Sequence, residues 1–370
     1  MRIAAVELLR VRLPLVRPFR TSFDLELDRD ALLVRVRTEG GVDGWGECVA
    51  PTWPGYSSEY VDACVPLIRD HLLPRVWTVT DAVAAKAAMG PVRGHPMSKA
   101  AVETAVLDAQ LREEGRPLAA YLGAVRDRVD CGVSVGIPTE DEADPMGSLL
   151  AEVGEYVDAG YRRIKLKIQP GWDLDPVARV RERWPAMPLQ VDANAAYRRD
   201  DLPHLAQLDA YDLLLVEQPL PEDDLIGHAR LAQLMRTPVC LDESVVSVAG
   251  ADTAIALGAA GVINIKPGRV GGYLESIAIH DLCRSAGVPV WCGGMLETGI
   301  GRAANLALAA LPGFTLPGDT SASDRYYARD ITEAFVLHDG RIDVPTGPGI
   351  GVEPVGIDAL VDWREEHLAP

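Results

Sequence analysis

The sequence lacks the surplus of basic residues that proteins use to bind nucleic acid or membrane surfaces. It has 36 Lys and Arg residues against 54 Asp and Glu residues, for a formal net charge of −18. Because phosphate groups attract basic surfaces, this balance argues against nucleic acid and anionic membrane as partners. No stretch is apolar for long enough to span a bilayer, and residues 1–12 carry charges that interrupt any signal-peptide pattern.

The sequence also lacks paired cysteines. Its six cysteines form no C-x-x-C motif, and three of them lie in apolar, strand-like runs. We therefore expect buried thiols in a reducing cytoplasm, with neither disulfides nor a zinc site. The cysteines are Cys48, Cys64, Cys131, Cys240, Cys283 and Cys292.

The pattern of strands and helices changes near residue 125, and a chain of 370 residues favours more than one domain. Residues 1–125 are predicted to form antiparallel strands followed by helices, an α+β domain. Its helices are expected to begin after Ser57 and Ser58, and after Ser98, because serine hydroxyls cap free backbone N–H groups. Residues 320–370 look irregular and are expected to fold back against this domain.

Two loops of the first domain, at residues 18–23 and 51–56, combine aromatic residues with turn formers. Each loop is either a simple surface turn or part of a lid, since mobile loops on a rigid scaffold often close binding sites. The sequence pattern leaves both interpretations open.

Between residues 126 and 319, short apolar runs alternate with helical stretches. Continuous apolar runs suit parallel strands that are buried on both faces. Charged strand ends recur about every 25 residues, which is the length of one strand, one helix and two loops, and this period predicts a (β/α) barrel. The eight predicted strands are residues 129–137, 163–168, 189–192, 213–217, 239–242, 262–266, 288–292 and 314–316.

Three carboxylates, Asp192, Glu217 and Asp242, end consecutive predicted strands. Neighbouring strands lie about 4.8 Å apart, so these side chains would converge and repel one another. A divalent cation would relieve the repulsion, and a ligand set made only of oxygen favours Mg²⁺ over zinc or copper. The alternative is that each carboxylate caps the following helix or pairs with a lysine.

Three lysines also lie at predicted strand ends. Lys165 and Lys167 share one face of a strand, whereas Lys266 lies four strands further around the barrel. Two neighbouring ammonium groups lower each other's pKa, so we expect at least one of the first pair to be a neutral base near pH 7. Such bases would lie on opposite sides of a substrate whose carboxylate binds the metal. This arrangement suits abstraction of the proton α to the substrate carboxylate, followed by racemisation or β-elimination.

This arrangement resembles the enolase superfamily, specifically its muconate-lactonising subgroup and within it the N-acylamino acid racemase/o-succinylbenzoate synthase family. A His at the end of the seventh strand, typical of the mandelate-racemase subgroup, is absent from residues 291–294. The matching motifs are Arg-Ile-Lys-Leu-Lys-Ile at 163–168, Pro-Gly-Arg-Val-Gly-Gly at 267–272, the segment 291–299 and the segment 316–321.

The resemblance implies a modified (β/α)7β TIM-like barrel over residues 126–319 with an α+β capping domain over 1–125, onto which residues 320–370 pack. It implies Mg²⁺, or Mn²⁺ or Co²⁺ as substitutes, a small-molecule carboxylate substrate and a homo-oligomer. The implied metal ligands are Asp192, Glu217 and Asp242, and the implied acid/base residues are Lys167 and Lys266, with Lys165 as a partner.

Further residues are assigned by the same resemblance. Asn194 and Glu243 would support the metal ligands, and Arg269 would keep the pKa of Lys266 low or hold that lysine in place. The implied substrate-binding residues are Phe19, Phe23, Trp53, Tyr56, Gly293, Gly294 and Met295.

Several activities stay open. The two that the resemblance favours are o-succinylbenzoate synthesis in menaquinone biosynthesis and racemisation of N-acyl or N-succinyl amino acids. Dipeptide epimerase and muconate cycloisomerase are alternatives in the same subgroup. Outside it, a lysine at a strand end can form a Schiff base in a lyase, and a barrel can also serve only for binding.

Overall fold

A computed structural model describes residues 1–139 and 142–370. The chain begins with a three-stranded antiparallel meander, β1 (Ile3–Arg20), β2 (Leu25–Thr38) and β3 (Asp43–Cys48). The turn between β2 and β3 contains Gly41, whose positive φ of 79° is a conformation that glycine adopts without strain.

Five short or medium helices follow the meander, and one of them packs directly on it. Glycines at positions 44 and 46 of β3 permit this contact, because a Cβ added at Gly46 would lie 2.0 Å from the carbonyl oxygen of Ala101. The helices are α1 (Val61–Leu67), α2 (Leu73–Val76), α3 (Ala82–Met89), α4 (Pro96–Glu113) and α5 (Leu118–Leu122), with a π-helical turn Ile68–Leu72 between the first two.

The predicted serine caps are wrong. Helix α1 begins at Val61 and has no side-chain cap, and Ser98 lies inside α4, two residues after its first residue. Glu59 takes the capping role at α4, because its carboxylate accepts hydrogen bonds from the backbone N–H groups of Met97 and Ser98 at 2.8 and 2.9 Å.

The second part of the chain forms a parallel sheet that curls into a barrel. After the short strand β4 (Arg128–Asp130), seven parallel strands follow in spatial order along the chain. They are β5 (Gly132–Val135), β6 (Arg163–Lys167), β7 (Leu189–Asp192), β8 (Val216–Glu217), β9 (Val239–Leu241), β10 (Val262–Ile265) and β11 (Val290–Cys292).

The predicted eighth strand, 314–316, is not a continuous strand in the structure. Instead, Phe314 bridges Val290 of β11, and Gly318 bridges Cys131 beside β5, both in parallel. Pro317 has no N–H to give to a strand ladder, which explains why pairing is interrupted there. These two bridges close the sheet into a ring.

Helices lie between the barrel strands. Each strand is buried on both faces, as its continuous apolar run predicts. The helices are α6 (Pro145–Asp158), α7 (Leu174–Arg183), α8 (Leu202–Leu205), α9 (Leu225–Leu234), α10 (Val248–Ala256), α11 (Pro267–Val270), α12 (Tyr273–Ala286) and α13 (Gly299–Ala309).

The C-terminal segment returns to both parts of the molecule. Strand β12 (Arg341–Asp343) pairs with β4, and strand β13 (Val361–Leu368) pairs antiparallel with β1 at the edge of the first sheet. The domain limits at residues 125 and 319 stay a prediction. Among the described residues, no helix is both long and apolar enough to cross a membrane.

The far end of the β1–β2 hairpin reaches the mouth of the barrel. Beyond a break in register, Phe19 pairs with Glu26. Ile137 of the barrel donates its N–H to the carbonyl oxygen of Arg20 at 2.9 Å, and the Ser22 hydroxyl donates to the carbonyl oxygen of Ala193 at 3.1 Å. The first domain therefore covers the carboxyl ends of the barrel strands.

Candidate active site

The predicted lysines and carboxylates meet at the carboxyl ends of adjacent barrel strands. In the parallel register, Lys167 of β6 lies opposite Asp192 of β7, and Asp192 lies opposite Glu217 of β8. Asp242 follows β9 directly. All three carboxylates are at most 1% exposed, so their charges must be balanced inside the protein.

The two lysines of β6 balance two of these carboxylates. Lys167 Nζ lies 2.6 Å from Asp192 Oδ2 and donates to Asn194 Oδ1 at 2.7 Å. Lys165 Nζ lies 3.2 Å from Glu217, 3.4 Å from Asp192 and 2.7 Å from Asp319. Lys165 is therefore surrounded by carboxylates that fix its position.

On the opposite side of the barrel, Lys266 pairs with Asp242. Its Nζ lies 2.7 Å from Asp242 Oδ2 and 3.3 Å from the Tyr56 hydroxyl, which comes from the 51–56 loop. Arg269 also pairs with Asp242 and donates from Nε to the carbonyl oxygen of Val245 at 2.9 Å. Arg269 thus shares a carboxylate with Lys266 and helps to fix its surroundings.

A lowered pKa was expected for at least one lysine of the first pair, and Lys165 is not that lysine, because its pKa is raised. Burial and Lys266 act to lower the pKa of Lys165, but Asp319, Glu217 and Asp192 raise it well above its usual range. Burial also acts to lower the pKa of Lys266, but Tyr56, Glu217 and Glu243 raise this pKa above its usual range. At Lys165, the carboxylates therefore outweigh burial and the ammonium group of Lys266.

Burial acts to raise the pKa of each carboxylate at the barrel mouth, but the net shift differs from one carboxylate to the next. At Asp192, burial acts to raise the pKa, but Lys167 and Lys165 lower it well below its usual range. At Glu217, burial and the charge of Asp192 raise the pKa. Burial and Asp192 also raise the pKa of Glu243, to about 7. The lysines therefore bring the pKa of Asp192 below its usual range, whereas the pKa values of Glu217 and Glu243 stay raised.

The donor set fits a hard divalent cation. The candidate ligands are all carboxylate oxygens, and two further buried oxygens near them, Glu243 Oε2 and Asn264 Oδ1, have no hydrogen-bond partner among the described residues. In the part of the chain that the structure describes, however, no three acidic, His or Cys side chains are gathered in metal-binding geometry, because lysines lie between the acids. The metal role of Asp192, Glu217 and Asp242 stays a prediction.

A cavity lies between the barrel mouth and the first domain. The three lysines and Asn194 line it. Of the seven predicted substrate-binding residues, five line it: Phe19, Phe23, Tyr56, Gly294 and Met295.

The other two predicted substrate-binding residues lie outside the cavity lining. Trp53 is 44% exposed, and its indole folds over Gly55, where an added Cβ would lie 2.4 Å from the ring. Gly293 packs against Asn264, whose side chain lies 2.3 Å from where a Cβ of residue 293 would be. Each of these two residues packs on a neighbour rather than on the cavity, and its role in substrate binding stays a prediction.

Sequence reasoning missed several cavity residues. Asp319 accepts hydrogen bonds from Arg163 at 2.9 Å and Ser134 at 3.2 Å in addition to its pairing with Lys165. The available signal was the place of Asp319 in the segment 316–321, one of the motifs that carry the family resemblance. The residues that were not predicted include Thr21, Glu26, Arg29, Ser134, Asp319 and Tyr326.

These features define a class of capped (β/α) barrels with acid–base side chains at the carboxyl ends of the strands. The family described as enolase C-terminal domain-like matches residues 148–357, and the mandelate racemase/muconate lactonizing enzyme N-terminal domain matches residues 3–123. The chain belongs to the enolase superfamily and carries both of these domains.

Similar proteins extend the comparison over the whole chain. An N-succinylamino acid racemase of Amycolatopsis sp is 57% identical and covers 96% of both chains. An o-succinylbenzoate synthase of Geobacillus kaustophilus is 45% identical over 94% of this chain and 92% of its own length. A solved enolase-superfamily structure from Listeria innocua has a TM-score of 0.94 and 39% identity, with complete coverage of both chains.

Proposed function

We propose that this protein removes the proton α to a carboxylate of a small-molecule substrate, with Mg²⁺ as its cofactor. One observation carries the proposal: Lys167 ends β6, Lys266 directly follows β10 four strands further around the barrel, and both lysines line the same cavity. A substrate between them has an amine on either face, which is what removal and return of a proton require.

In this proposal, Lys167 and Lys266 move protons at the substrate α-carbon. Asp319 and Glu217 hold Lys165 in place, and Asn194 orients Lys167 through its hydrogen bond of 2.7 Å. Asp192, Glu217 and Asp242 would hold the cation, which when bound stabilises negative charge on the substrate carboxylate oxygens. The first domain excludes water by covering the cavity.

Two reactions fit this arrangement. Racemisation of N-succinyl or other N-acyl amino acids uses both lysines, and the 57% identical relative supports it. β-Elimination to o-succinylbenzoate, the step of menaquinone biosynthesis, needs one base, and the 45% identical relative supports that. In the elimination, Lys167 is our choice of base and Lys266 stabilises the negative charge. Dipeptide epimerisation and muconate cycloisomerisation stay as alternatives.

The direct test is an assay of the purified protein with the o-succinylbenzoate precursor beside a panel of N-acylated amino acids. We expect turnover of at least one class, loss of turnover with a chelator, and recovery on addition of Mg²⁺. Trapping of a substrate adduct by borohydride would instead support a Schiff-base lyase. Absence of Mg²⁺ binding in calorimetry would support a barrel used only for binding.

We also propose that the protein acts in the cytoplasm. All six cysteines are buried and free, which suits a reducing compartment. Cell fractionation with an antibody tests this, and recovery with the extracytoplasmic fraction would contradict it.

The homo-oligomer implied by the resemblance is tested by light scattering, in which a monomer mass of 39.8 kDa would contradict it.

A further inference from the structure

One cation of the cavity differs from the other three. Arg29 lies on β2, lines the cavity and is only 2% exposed. Its Nη1 and Nη2 donate to the carbonyl oxygens of Ala50 at 3.1 Å and Cys48 at 3.4 Å. Its Nε has no hydrogen-bond partner among the described residues. Arg29 is therefore a cavity-lining residue whose buried guanidinium keeps one donor that no described acceptor uses.

The three lysines of the cavity each have a carboxylate partner, but Arg29 has none in direct contact within the described chain. The nearest acids act on it only through space, chiefly Glu47 and Glu26. Glu47 is already engaged, since its carboxylate accepts hydrogen bonds from Thr298 and from the N–H of Gly301. A buried cation without a contacting anion is costly, and a bound anion would offset that cost.

The position of Arg29 determines which part of a substrate it can reach. The reacting carboxylate of the substrate belongs beside the lysines at the barrel strand ends, whereas Arg29 belongs to the covering hairpin. An anion that reaches Arg29 must therefore be at the other end of the same molecule. Arginine suits such a group, because its planar donors match a carboxylate in a bidentate geometry.

We propose that Arg29 binds a second, terminal carboxylate on the acyl group of the substrate and so selects acyl groups that end in a carboxylate over neutral ones. This inference rests on the proposed function for the placement of the reacting carboxylate. Glu26 also lines the cavity and would repel the same group. Burial raises the pKa of Glu26, which reduces that repulsion.

The test compares two ligands that differ only at the terminal group: N-succinylglycine and its terminal carboxamide. Calorimetry with the full-length protein and Mg²⁺ gives the two Kd values. We expect the wild-type protein to bind the succinyl compound about 10- to 100-fold more tightly, as for a hydrogen bond to a charged group. Equal binding of the two ligands, or failure to bind N-succinylglycine, would overturn the proposal without any variant.

Variants assign the preference to Arg29. Arg29→Met, which keeps much of the side-chain volume, should reduce the preference to about 2-fold or less, whereas an unchanged preference would contradict the proposal. Should that variant fail to fold, Arg29→Lys should lose about 3- to 10-fold of the preference, because the charge stays but the bidentate geometry is lost. A full wild-type preference in Arg29→Lys would also contradict it.

The matched control is Arg12→Met. Arg12 lies on the partner strand β1, is exposed, and pairs with Asp28 on the surface at 2.9 Å. We expect it to keep the wild-type preference, and a fall equal to that of Arg29→Met would show a general charge effect and overturn the assignment. If N-succinylglycine binds with the expected preference but neither an N-succinylamino acid nor the o-succinylbenzoate precursor is turned over, the proposed function fails and the role of Arg29 in binding stands.

Discussion

Two pairs of buried carboxylates in this molecule have pKa values that shift in opposite directions, although burial acts to raise the pKa of all four. At the barrel mouth, burial acts to raise the pKa of Asp192 and of Asp319, but nearby cations lower both values. Lysines lower the pKa of Asp192, and a lysine and an arginine lower that of Asp319. Where the first domain meets the barrel, burial raises the pKa values of Glu47 and Glu103 to about 7. All four side chains are nearly inaccessible to solvent.

Among these four acids, the two with lowered pKa values each contact two cations directly, whereas Glu217, which contacts Lys165 alone at 3.2 Å, keeps a raised pKa because burial and Asp192 outweigh that contact. Glu103 accepts a hydrogen bond from the N–H of Leu274 at 3.0 Å, and its other oxygen has no partner among the described residues. Backbone donors alone do not compensate for the loss of water. Cations are concentrated at the barrel mouth, where the proposed chemistry takes place. Glu47 and Glu103 instead join the two parts of the chain, through hydrogen bonds from Thr298 and Leu274.

The largest expected effect on stability comes from breaking a pairing at the mouth. Asp319→Asn removes the charge that contacts both Lys165 and Arg163 and leaves two buried cations with less compensation. We expect the free energy of unfolding to fall by about 3–5 kcal/mol, measured by urea denaturation. A loss below about 1 kcal/mol would show that these cations do not depend on Asp319.

A smaller change in the free energy of unfolding, a gain rather than a loss, is expected from replacing Glu103 where the first domain meets the barrel. The unfolded chain releases the Glu103 proton near pH 4.5, but the folded protein holds it until about pH 7. Stability therefore falls as pH rises through this window, because ionisation is favoured only after unfolding. Glu103→Gln does not titrate, so it should stabilise the protein by about 1–3 kcal/mol at pH 8 and progressively less towards pH 5. Equal effects at both pH values would refute this account.

The smallest effect is expected on the surface, where water compensates charges. Asp358 and Arg364 form an ion pair at 2.6 Å in which both side chains are exposed, by 83% and 46%. Asp358→Asn should change the free energy of unfolding by no more than about 0.5 kcal/mol. This variant serves as the reference for Asp319→Asn, and a comparable loss in both would remove the distinction between buried and exposed pairs.

The strand ends of the barrel were predictable because they depend on short-range patterns. A run of apolar residues that ends in a charged residue marks both a buried strand and the side chain at its mouth. Lys165, Lys167 and Asp192 are therefore found on adjacent strands, as the period of the sequence indicates. The family resemblance is likewise confirmed by the matches over residues 3–123 and 148–357.

Features that depend on distant partners were not predictable in the same way. Ser98 looks like a helix cap until Glu59, 39 residues earlier, takes the free N–H groups. A lowered pKa was expected for at least one of Lys165 and Lys167, but the raised pKa of Lys165 was not predictable. Asp319 lies 154 positions later in the chain, and its contact with Lys165 is created only by closure of the barrel. Arg29 lies on a strand rich in charged residues, a pattern typical of a solvent-exposed face.

The most direct test of the central claim, two amines acting on opposite faces of one substrate, is α-hydrogen exchange in ²H₂O. N-succinyl-L- and N-succinyl-D-amino acids are incubated with the wild-type protein, Lys167→Ala and Lys266→Ala. The wild type should exchange both enantiomers, while each variant should lose racemisation and exchange from one enantiomer, a different one in each. Exchange of both enantiomers by either variant would contradict the account.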